Sequence, residues 1–480
     1  MKILDISIII AYFTVLIIVG IIGSRRAKTS EDYILAGRNL GFYMYFGCLA
    51  AVILGGASTI GTTQLGYEYG VSGMWLVFML GFGIMLLGIF LIHKITKFKV
   101  MTISEFLGKR FNSHTQLISA LVASIYAMMV TVTQVIGMGT ILNVLLGWDL
   151  TISMLVGGGI VLFYTILGGM WSVTMTDIIQ FIVMTVGIFF FMVPMSISSA
   201  GGWKELSLQL PESYFSLSGI GTTQIFHYFL LFALGMVVAQ DIWQRVFTAR
   251  TLTIARTGTV FAGVYSLLYG IAVSIIGMCA FIVLPNLGSS QNAFASMALE
   301  TLPSGILGFV LAGVISALMS TASGTLLASS TLITNDILIK NFFKINNERQ
   351  FLILSRTVTT TIGLATIVFA IWIQDVLVAL DVAYAVLSGA IFVPIILGFF
   401  WKKATPNAAF YSIIISTITI LAGLAIEGIT STNPILYGIA TSAVVMVVVS
   451  LSSKKGQVNV DDSLILEDEN ELQKKTTIGL

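Results

Sequence analysis

Long apolar segments recur from one end of the chain to the other, and they limit its fold more strongly than any other feature. About thirteen segments are long enough to cross a bilayer, for which roughly 20 apolar residues are needed. Backbone groups inside lipid must bond within their own segment, so each segment is predicted to be helical. The predicted fold is therefore an all-α polytopic membrane protein with about 13 transmembrane helices. The predicted spans lie near residues 5–23, 41–66, 71–98, 115–146, 151–169, 174–199, 224–244, 255–285, 303–333, 352–373, 376–400, 405–427 and 433–452.

The composition indicates the same class of protein. Only 10% of the residues are charged, whereas soluble proteins carry roughly 25%. The net charge of +2 identifies no partner. The lipid bilayer is the one partner that this composition requires, and neither a nucleic acid nor an obligatory protein partner is expected.

The loops between the predicted spans alternate in charge, which predicts the orientation of the chain. In one set of loops, Lys2 and Lys204 are the only basic residues. Because Lys and Arg collect in cytoplasmic loops, the N-terminus is predicted outside and the C-terminus in the cytoplasm of a multi-pass plasma-membrane protein. The basic clusters of the other set are Arg25–Arg38, Lys94–Arg110, Arg245–Arg256, Lys340–Arg356, Lys402–Lys403 and Lys454–Lys455.

Composition changes once, near the C-terminus. Residues 1–455 are predicted to form a single transmembrane domain. Residues 456–480 are rich in Asp and Glu and lack aromatic residues, a composition typical of segments that do not fold alone. They are predicted to form an acidic, disordered cytoplasmic tail.

Two predicted spans carry small and hydroxylated residues where a lipid-facing helix would carry large apolar ones. In the ninth span, which includes LAGVISALMSTASGTLLASST at 311–331, Ala317, Ser320 and Thr321 share one helix face. The second span contains GGASTIG at 55–61, and its adjacent glycines predict a break of the helix inside the membrane. Close helix packing through small residues is the alternative interpretation.

These two spans together offer the ligands that a hard cation needs. Such an ion takes about five or six oxygen ligands in a rigid cage. Five are available without any charged side chain, and a sodium site is therefore predicted here. They are the hydroxyls of Ser320 and Thr321 and the backbone carbonyls of Ala57, Ile60 and Ala317.

Three charged residues lie at the ends of predicted spans. Asp177, near the start of the sixth span, is either a cation ligand or the cap of a helix N-terminus. Asp241 and Arg245, at the inner end of the seventh span, are interpreted as a structural ion pair.

Six short motifs occur in order along nearly the whole chain: DYILAGR at 32–38, GGASTIG at 55–61, TISEFLGKRF at 102–111, GGMWSVTMTDIIQ at 168–180, QRVFTAR at 244–250 and SALMSTASG at 316–324. Together with the number of spans, they resemble the sodium:solute symporter family, whose members carry proline, pantothenate, sialic acid, monocarboxylates and sugars. The resemblance implies a leucine-transporter-type core of two inverted five-helix repeats. The repeats would cover about 41–199 and 224–400, with the first, twelfth and thirteenth spans peripheral.

The resemblance implies sodium binding by the same five residues, Ala57, Ile60, Ala317, Ser320 and Thr321. It also implies a second sodium position at Asp177 and Ser323, together with Ser320 and residue 324. Relatives with two sodium ions have serine at the last of these positions, whereas this chain has Gly324. That departure argues against a second ion.

For the solute, the resemblance implies a pocket beside the broken second span. Members that bind sugars resemble this chain in having a glutamine near position 64, whereas members that bind sialic acid carry an arginine where this chain has Gly137. A bulky acidic sugar is therefore not expected. The candidate solute-binding residues are Thr59, Thr62, Thr63 and Gln64, with Gln240 from the seventh span.

The implied function is sodium-coupled symport by alternating access, with Na+ as the coupling ion. The expected cargo is a small organic solute, either an amino acid such as proline or a short monocarboxylate. A sugar or a vitamin-like acid such as pantothenate is the alternative. A channel would need a continuous polar pore, and a membrane sensor would need a signalling domain. The sequence indicates neither of these features. No enzymatic activity is expected, since no catalytic motif such as HExxH occurs.

Overall fold

The computed structural model describes residues 2–26, 29–98, 100–345 and 347–453. Regular structure in these ranges is helical, apart from an isolated bridge between Leu40 and Ala249. This confirms the all-α prediction. The predicted acidic tail, 456–480, lies outside the described residues.

The α-helices, in chain order, are α1 (Ile3–Ser24), α2 (Ser30–Leu35), α3 (Phe42–Ile53), α4 (Thr62–Tyr69), α5 (Trp75–Leu86), α6 (Ile92–Lys97), α7 (Ile103–Arg110), α8 (Ser113–Leu146), α9 (Leu150–Thr185), α10 (Val193–Ser199), α11 (Gly202–Gln209), α12 (Thr222–Tyr228), α13 (Leu234–Val237), α14 (Gln240–Val246), α15 (Leu252–Val283), α16 (Ala293–Thr301), α17 (Ile306–Thr331), α18 (Glu348–Ile373), α19 (Val376–Phe400), α20 (Pro406–Glu427) and α21 (Pro434–Ser452). Short π-helical segments extend several of them, at Ala57–Gly61, Leu87–Leu91, Val186–Met192, Phe229–Ala233 and Leu332–Ile339.

Within the described ranges, eleven helical stretches are long and apolar enough to cross a membrane, and two shorter apolar helices, Phe42–Ile53 and Leu150–Phe163, accompany them. The polytopic class is thereby confirmed, while the exact number of thirteen crossings stays a prediction. The boundary expected between the fifth and sixth spans, at 169–174, does not coincide with a helix end, because α9 is helical from Leu150 to Thr185.

The second span is broken where its glycines predict. Helix α3 ends at Ile53, and helical structure resumes with the π-helical segment Ala57–Gly61. A methyl group on Gly55 would lie 2.5 Å from Gln134 Oε1 and 2.7 Å from Thr321 Oγ1. A side chain at this position would displace both oxygens, so glycine lets the broken backbone keep these contacts with α8 and α17.

The seventh span is broken as well. Helix α13 ends at Val237 and α14 begins at Gln240. The freed carbonyl of Val237 accepts a hydrogen bond of 2.8 Å from the indole nitrogen of Trp243. Just before the break, a methyl group on Gly235 would overlap the ring of Tyr384 on α19. Small residues thus bring both broken spans close to their neighbours.

Helix α17 lies at the centre of the bundle. In the most apolar window of Ile306–Ile339, 89% of the residues are buried inside the protein. The corresponding value is 17% for α1 and 28% for α21, and large apolar side chains such as Ile3 and Ile426 are exposed on the first and twelfth spans. The bundle therefore buries its polar ninth span and leaves much of the first, twelfth and thirteenth spans exposed on its outside.

Candidate cation and solute sites

The first candidate site lies where α17 meets the break in the second span. The hydroxyl of Thr321 donates to the carbonyls of Val52, at 2.9 Å, and Ala317, at 3.2 Å. Val52 belongs to the last turn of α3, so this contact joins the two spans that the sequence predicts to share a cation. Ala57, Ile60, Ala317, Ser320 and Thr321, the five predicted ligands, are all buried.

A small cavity lies beside this contact. Its volume is about 20 Å³, and its walls include Ala57, Ser58, Gln134, Thr321 and Tyr384. One water-sized occupant needs roughly 10–15 Å³ of such volume. The cavity therefore has room for an ion or a water molecule, but not for an organic solute.

Ser320 connects this region to a second polar cluster. Its hydroxyl donates to Asp177 Oδ1 at 2.5 Å. A hydroxyl oxygen that donates its proton still has two lone pairs, so Ser320 can bond to Asp177 and offer an oxygen to a cation at the same time. Ser323, the other α17 residue considered for a second ion, donates to the backbone carbonyl of Ser320 at 3.1 Å.

A buried ion pair forms the centre of the second cluster. Arg245 Nη2 lies 3.3 Å from Asp177 Oδ2, and the two side chains are 1% and 0% exposed. The thiol of Cys48 donates to the same oxygen at 3.0 Å. A methyl group on Gly324 would overlap the guanidinium of Arg245. The absence of a side chain at 324 thus provides the space that the guanidinium occupies.

This geometry corrects two interpretations of the charged residues. Asp177 does not cap a helix, because it lies inside α9, whose N-terminal cap is Asp149. Asp241 and Arg245 do not form the expected ion pair. The Asp241 carboxylate accepts from the hydroxyl of Tyr126 at 3.2 Å, and the bond that Arg245 makes to Asp241 goes to its backbone carbonyl, at 3.3 Å. The guanidinium turns instead toward α9.

The predicted solute residues on the second span have different surroundings. The Thr59 hydroxyl bonds to that of Tyr269 on α15 at 2.8 Å, and the Thr63 hydroxyl donates to the Thr59 carbonyl at 2.7 Å. Thr62 makes a long bond of 3.5 Å to the carbonyl of Ala57. These three hydroxyls are engaged by the protein itself.

The two candidate glutamines, Gln64 and Gln240, also have different surroundings. Gln64 Nε2 donates to Glu68 at 3.5 Å, while Gln64 Oε1 is buried without a hydrogen-bond partner among the described residues. Gln240 is bonded to the start of α7, through the amide of Ile103 at 2.8 Å, and to the carbonyl of Met101 just before it at 3.5 Å. Within the described ranges, no hydrogen bond links Gln240 to the four candidates on the second span.

Comparison with known proteins decides the family. The model of the sodium:solute symporter family matches residues 33–416. The chain belongs to the sodium:solute symporter family. It is accordingly a sodium-coupled solute symporter, with Na+ as its coupling ion and the lipid bilayer as its environment.

Curated relatives of the symporter carry different solutes. It is 25% identical to a sodium/glucose cotransporter of Vibrio parahaemolyticus, over 96% of this chain and 92% of the relative. It is also 25% identical to a sodium/proline symporter of Staphylococcus aureus (strain bovine RF122 / ET3-1), over 95% of this chain and 94% of the relative. The identity to sodium/glucose cotransporter 4 of Danio rerio is 25% as well, over 88% of this chain and 72% of the relative. These similarities do not distinguish a sugar from an amino acid.

Solved structures confirm the leucine-transporter-type fold. A substrate-bound, outward-open sodium-coupled sialic acid symporter superposes with a TM-score of 0.82 at 19% identity, over 95% of this chain and 99% of that one. A nucleobase-cation-symport-1 family transporter in a closed conformation superposes with a TM-score of 0.57 at 14% identity, over 90% and 98%.

Sequence reasoning missed two polar residues near the breaks of the symporter. Gln134 Oε1 accepts a hydrogen bond of 2.5 Å from the amide of Gly56, so it holds the first break against α8. Asp381 lies in the membrane-spanning helix α19, and its Oδ1 is buried with no hydrogen-bond partner among the described residues. A single aspartate within an otherwise apolar span was a signal that could have identified the second of them.

Proposed function

We propose that the protein imports a small organic solute together with sodium by alternating access. The observation that carries this proposal is the Thr321 contact, which joins a polar, largely buried helix to a broken span. Broken helices at such a position free backbone carbonyls for an ion, and rocking of one helix group against another then exposes the site to each side in turn. The N-terminus is proposed to lie outside and the C-terminus in the cytoplasm.

The proposed sodium ligands are the carbonyls of Ala57, Ile60 and Ala317 with the hydroxyls of Ser320 and Thr321. Two features support this set. The cavity lined by Ala57 and Thr321, two of the five residues, has the volume of an ion, and the bond from Ser320 to Asp177 leaves the Ser320 oxygen electron-rich. Sodium would replace the hydrogen bonds that Thr321 makes to the carbonyls of α3 and α17.

One sodium per solute is the proposed stoichiometry. The second position considered, at Asp177 and Ser323, contains the guanidinium of Arg245 next to Gly324. A sodium ion there would share one carboxylate with a second positive charge. A single sodium ion crossing the membrane releases about 2.3 kcal/mol per 100 mV, which is worth roughly 50-fold accumulation of solute.

For the solute, an amino acid such as proline or a short monocarboxylate is proposed, with Thr59, Thr62, Thr63, Gln64 and Gln240 as the residues first considered for its pocket. Gln64 has the strongest support, because its Oε1 is buried and unbonded. A sugar is the second candidate, favoured by the relatives named for glucose transport.

The experiment is uptake into proteoliposomes. Labelled proline, lactate, pantothenate and glucose are offered with an inward sodium gradient, with an inward potassium gradient, and with no gradient. We expect at least one solute to accumulate only with the sodium gradient. Equal accumulation in sodium and potassium would refute sodium-coupled import, and rapid equilibration without accumulation would indicate a channel.

A further inference from the structure

One face of helix α19 packs against both broken spans. Leu377, Asp381, Tyr384 and Ser388 follow one another at intervals of four, three and four residues, so they lie along a single helix face. Leu377 Cδ2 would lie 2.7 Å from a methyl group on Gly61, in the second span, and Ser388 donates to the carbonyl of Leu230, in the seventh, at 2.5 Å.

Asp381 occupies the position between these contacts. One turn before it, Leu377 touches the second span, and one turn after it, Tyr384 packs against Gly235 and lines the cavity at the break. The carboxylate therefore faces the region between the two broken spans. This is the region in which transporters of this architecture hold their cargo.

The surroundings of Asp381 do not neutralise its charge. Among the residues that the structure describes, no ion pair includes Asp381, and its Oδ1 is buried without a hydrogen-bond donor. The groups that interact with it electrostatically are Asp375, which carries the same charge, and Tyr228. An ionisable group inside a membrane without a partner is costly, so such groups mark ligand or proton sites.

A second unsatisfied acceptor is present on the second span. Gln64 Oε1 is buried and lacks a donor, and Gln64 Nε2 is bonded to Glu68. Both Asp381 and Gln64 thus lack hydrogen-bond donors rather than acceptors. A solute that binds to either residue must supply N–H or O–H groups, and a positive charge would balance the Asp381 carboxylate. A protonated amine supplies both.

We propose that Asp381 recognises a protonated amine of the transported solute. This inference rests on the proposed function and narrows its solute class, since it selects amino acids and related amines over monocarboxylates, pantothenate and sugars. The ammonium nitrogen bonds to the Asp381 carboxylate. The charge of Asp381 is then balanced by the cargo, as that of Asp177 is balanced by Arg245.

The test uses the full-length protein in proteoliposomes with an inward sodium gradient. Uptake of labelled proline and alanine is compared with uptake of lactate and glucose. Competition of proline uptake by cyclopentanecarboxylate, which has the shape of proline without its nitrogen, isolates the contribution of the amine. We expect sodium-driven uptake of an amine-bearing solute and no competition by the nitrogen-free analogue.

Three variants test whether Asp381 binds the amine of the solute. Asp381→Asn removes the charge and should raise the KM for the amine by about 10-fold or more, since charged hydrogen bonds are worth about 1.5–3 kcal/mol. Asp381→Glu keeps the charge and should recover part of the affinity. Glu212→Gln, which removes an exposed acid outside the proposed site, is the control for general electrostatic attraction and should change the KM much less. Sodium-induced thermal stabilisation without solute should be unchanged in all three.

The two proposals fail in different ways. Sodium-driven uptake of lactate or glucose that Asp381→Asn leaves unaltered would overturn amine recognition and keep sodium coupling. Amine uptake that needs Asp381 but accumulates equally with potassium would support amine recognition and refute sodium coupling. Loss of sodium-induced stabilisation in Asp381→Asn would overturn amine recognition by making the residue part of the cation site.

Discussion

Replacing Arg245 by glutamine tests whether its guanidinium takes the place of a second sodium ion. The pair is 3.3 Å apart and buried. Coulomb's law with an effective dielectric constant of about 20 gives about 5 kcal/mol of attraction at that distance. Removing one partner of a buried pair costs about 3–5 kcal/mol. Arg245→Gln should therefore lower the free energy of unfolding by several kcal/mol in sodium-free buffer.

The vacated carboxylate should then bind sodium. A cation at 100 times its dissociation constant contributes about 2.7 kcal/mol of stability, so sodium should restore much of the loss. Thermal unfolding in detergent is measured against sodium concentration, with potassium as the reference ion. The Hill coefficient of sodium-dependent uptake should rise from about one in the unmodified protein toward about two in the variant.

Two controls distinguish this effect from general destabilisation. Arg250→Gln removes an exposed arginine a few residues away and should leave both the stability and the sodium response unchanged. The double variant Asp177→Asn with Arg245→Gln lacks the carboxylate and should lose the added sodium response. A Hill coefficient near two in the unmodified protein, or an Arg245→Gln variant with no added response to sodium, would refute the reasoning.

Three further outcomes are expected. Thr321→Ala removes a hydroxyl from the proposed sodium cage and should raise the half-saturating sodium concentration on the order of 10- to 100-fold; unchanged sodium dependence of uptake would contradict the site. Gln64→Ala should weaken solute binding by about 1–3 kcal/mol without altering sodium-induced stabilisation, and a joint loss of sodium binding and stability would make the residue structural instead. A cysteine that replaces exposed Ser207 should react with an impermeant thiol reagent in intact cells, whereas one that replaces exposed Lys344 should not. The two native cysteines are buried and should give no background labelling. The opposite labelling pattern would reverse the orientation.

Much of the architecture was determined by local properties of the sequence. Helical spans follow from the length of the apolar segments, because lipid offers backbone groups no partner. The break in the second span follows from Gly55 and Gly56, and the ends of the helices on either side lie where those residues predict. The burial of Ser320 and Thr321 also follows, since a polar face inside a membrane must turn toward protein.

The partners of the charged side chains were decided only by the tertiary structure. From the sequence, Arg245 pairs with Asp241, four residues away on the same helix; in the folded chain it reaches Asp177, on a helix 68 residues earlier. Arg245 can take this position because Gly324, on a third helix, leaves space for the guanidinium. The position of Asp381 between two distant spans likewise follows only from the contacts that Leu377 and Tyr384 make with those spans. Spacing within a helix predicts which residues share a face, but the neighbours of that face are set by the packing of helices that are remote in sequence.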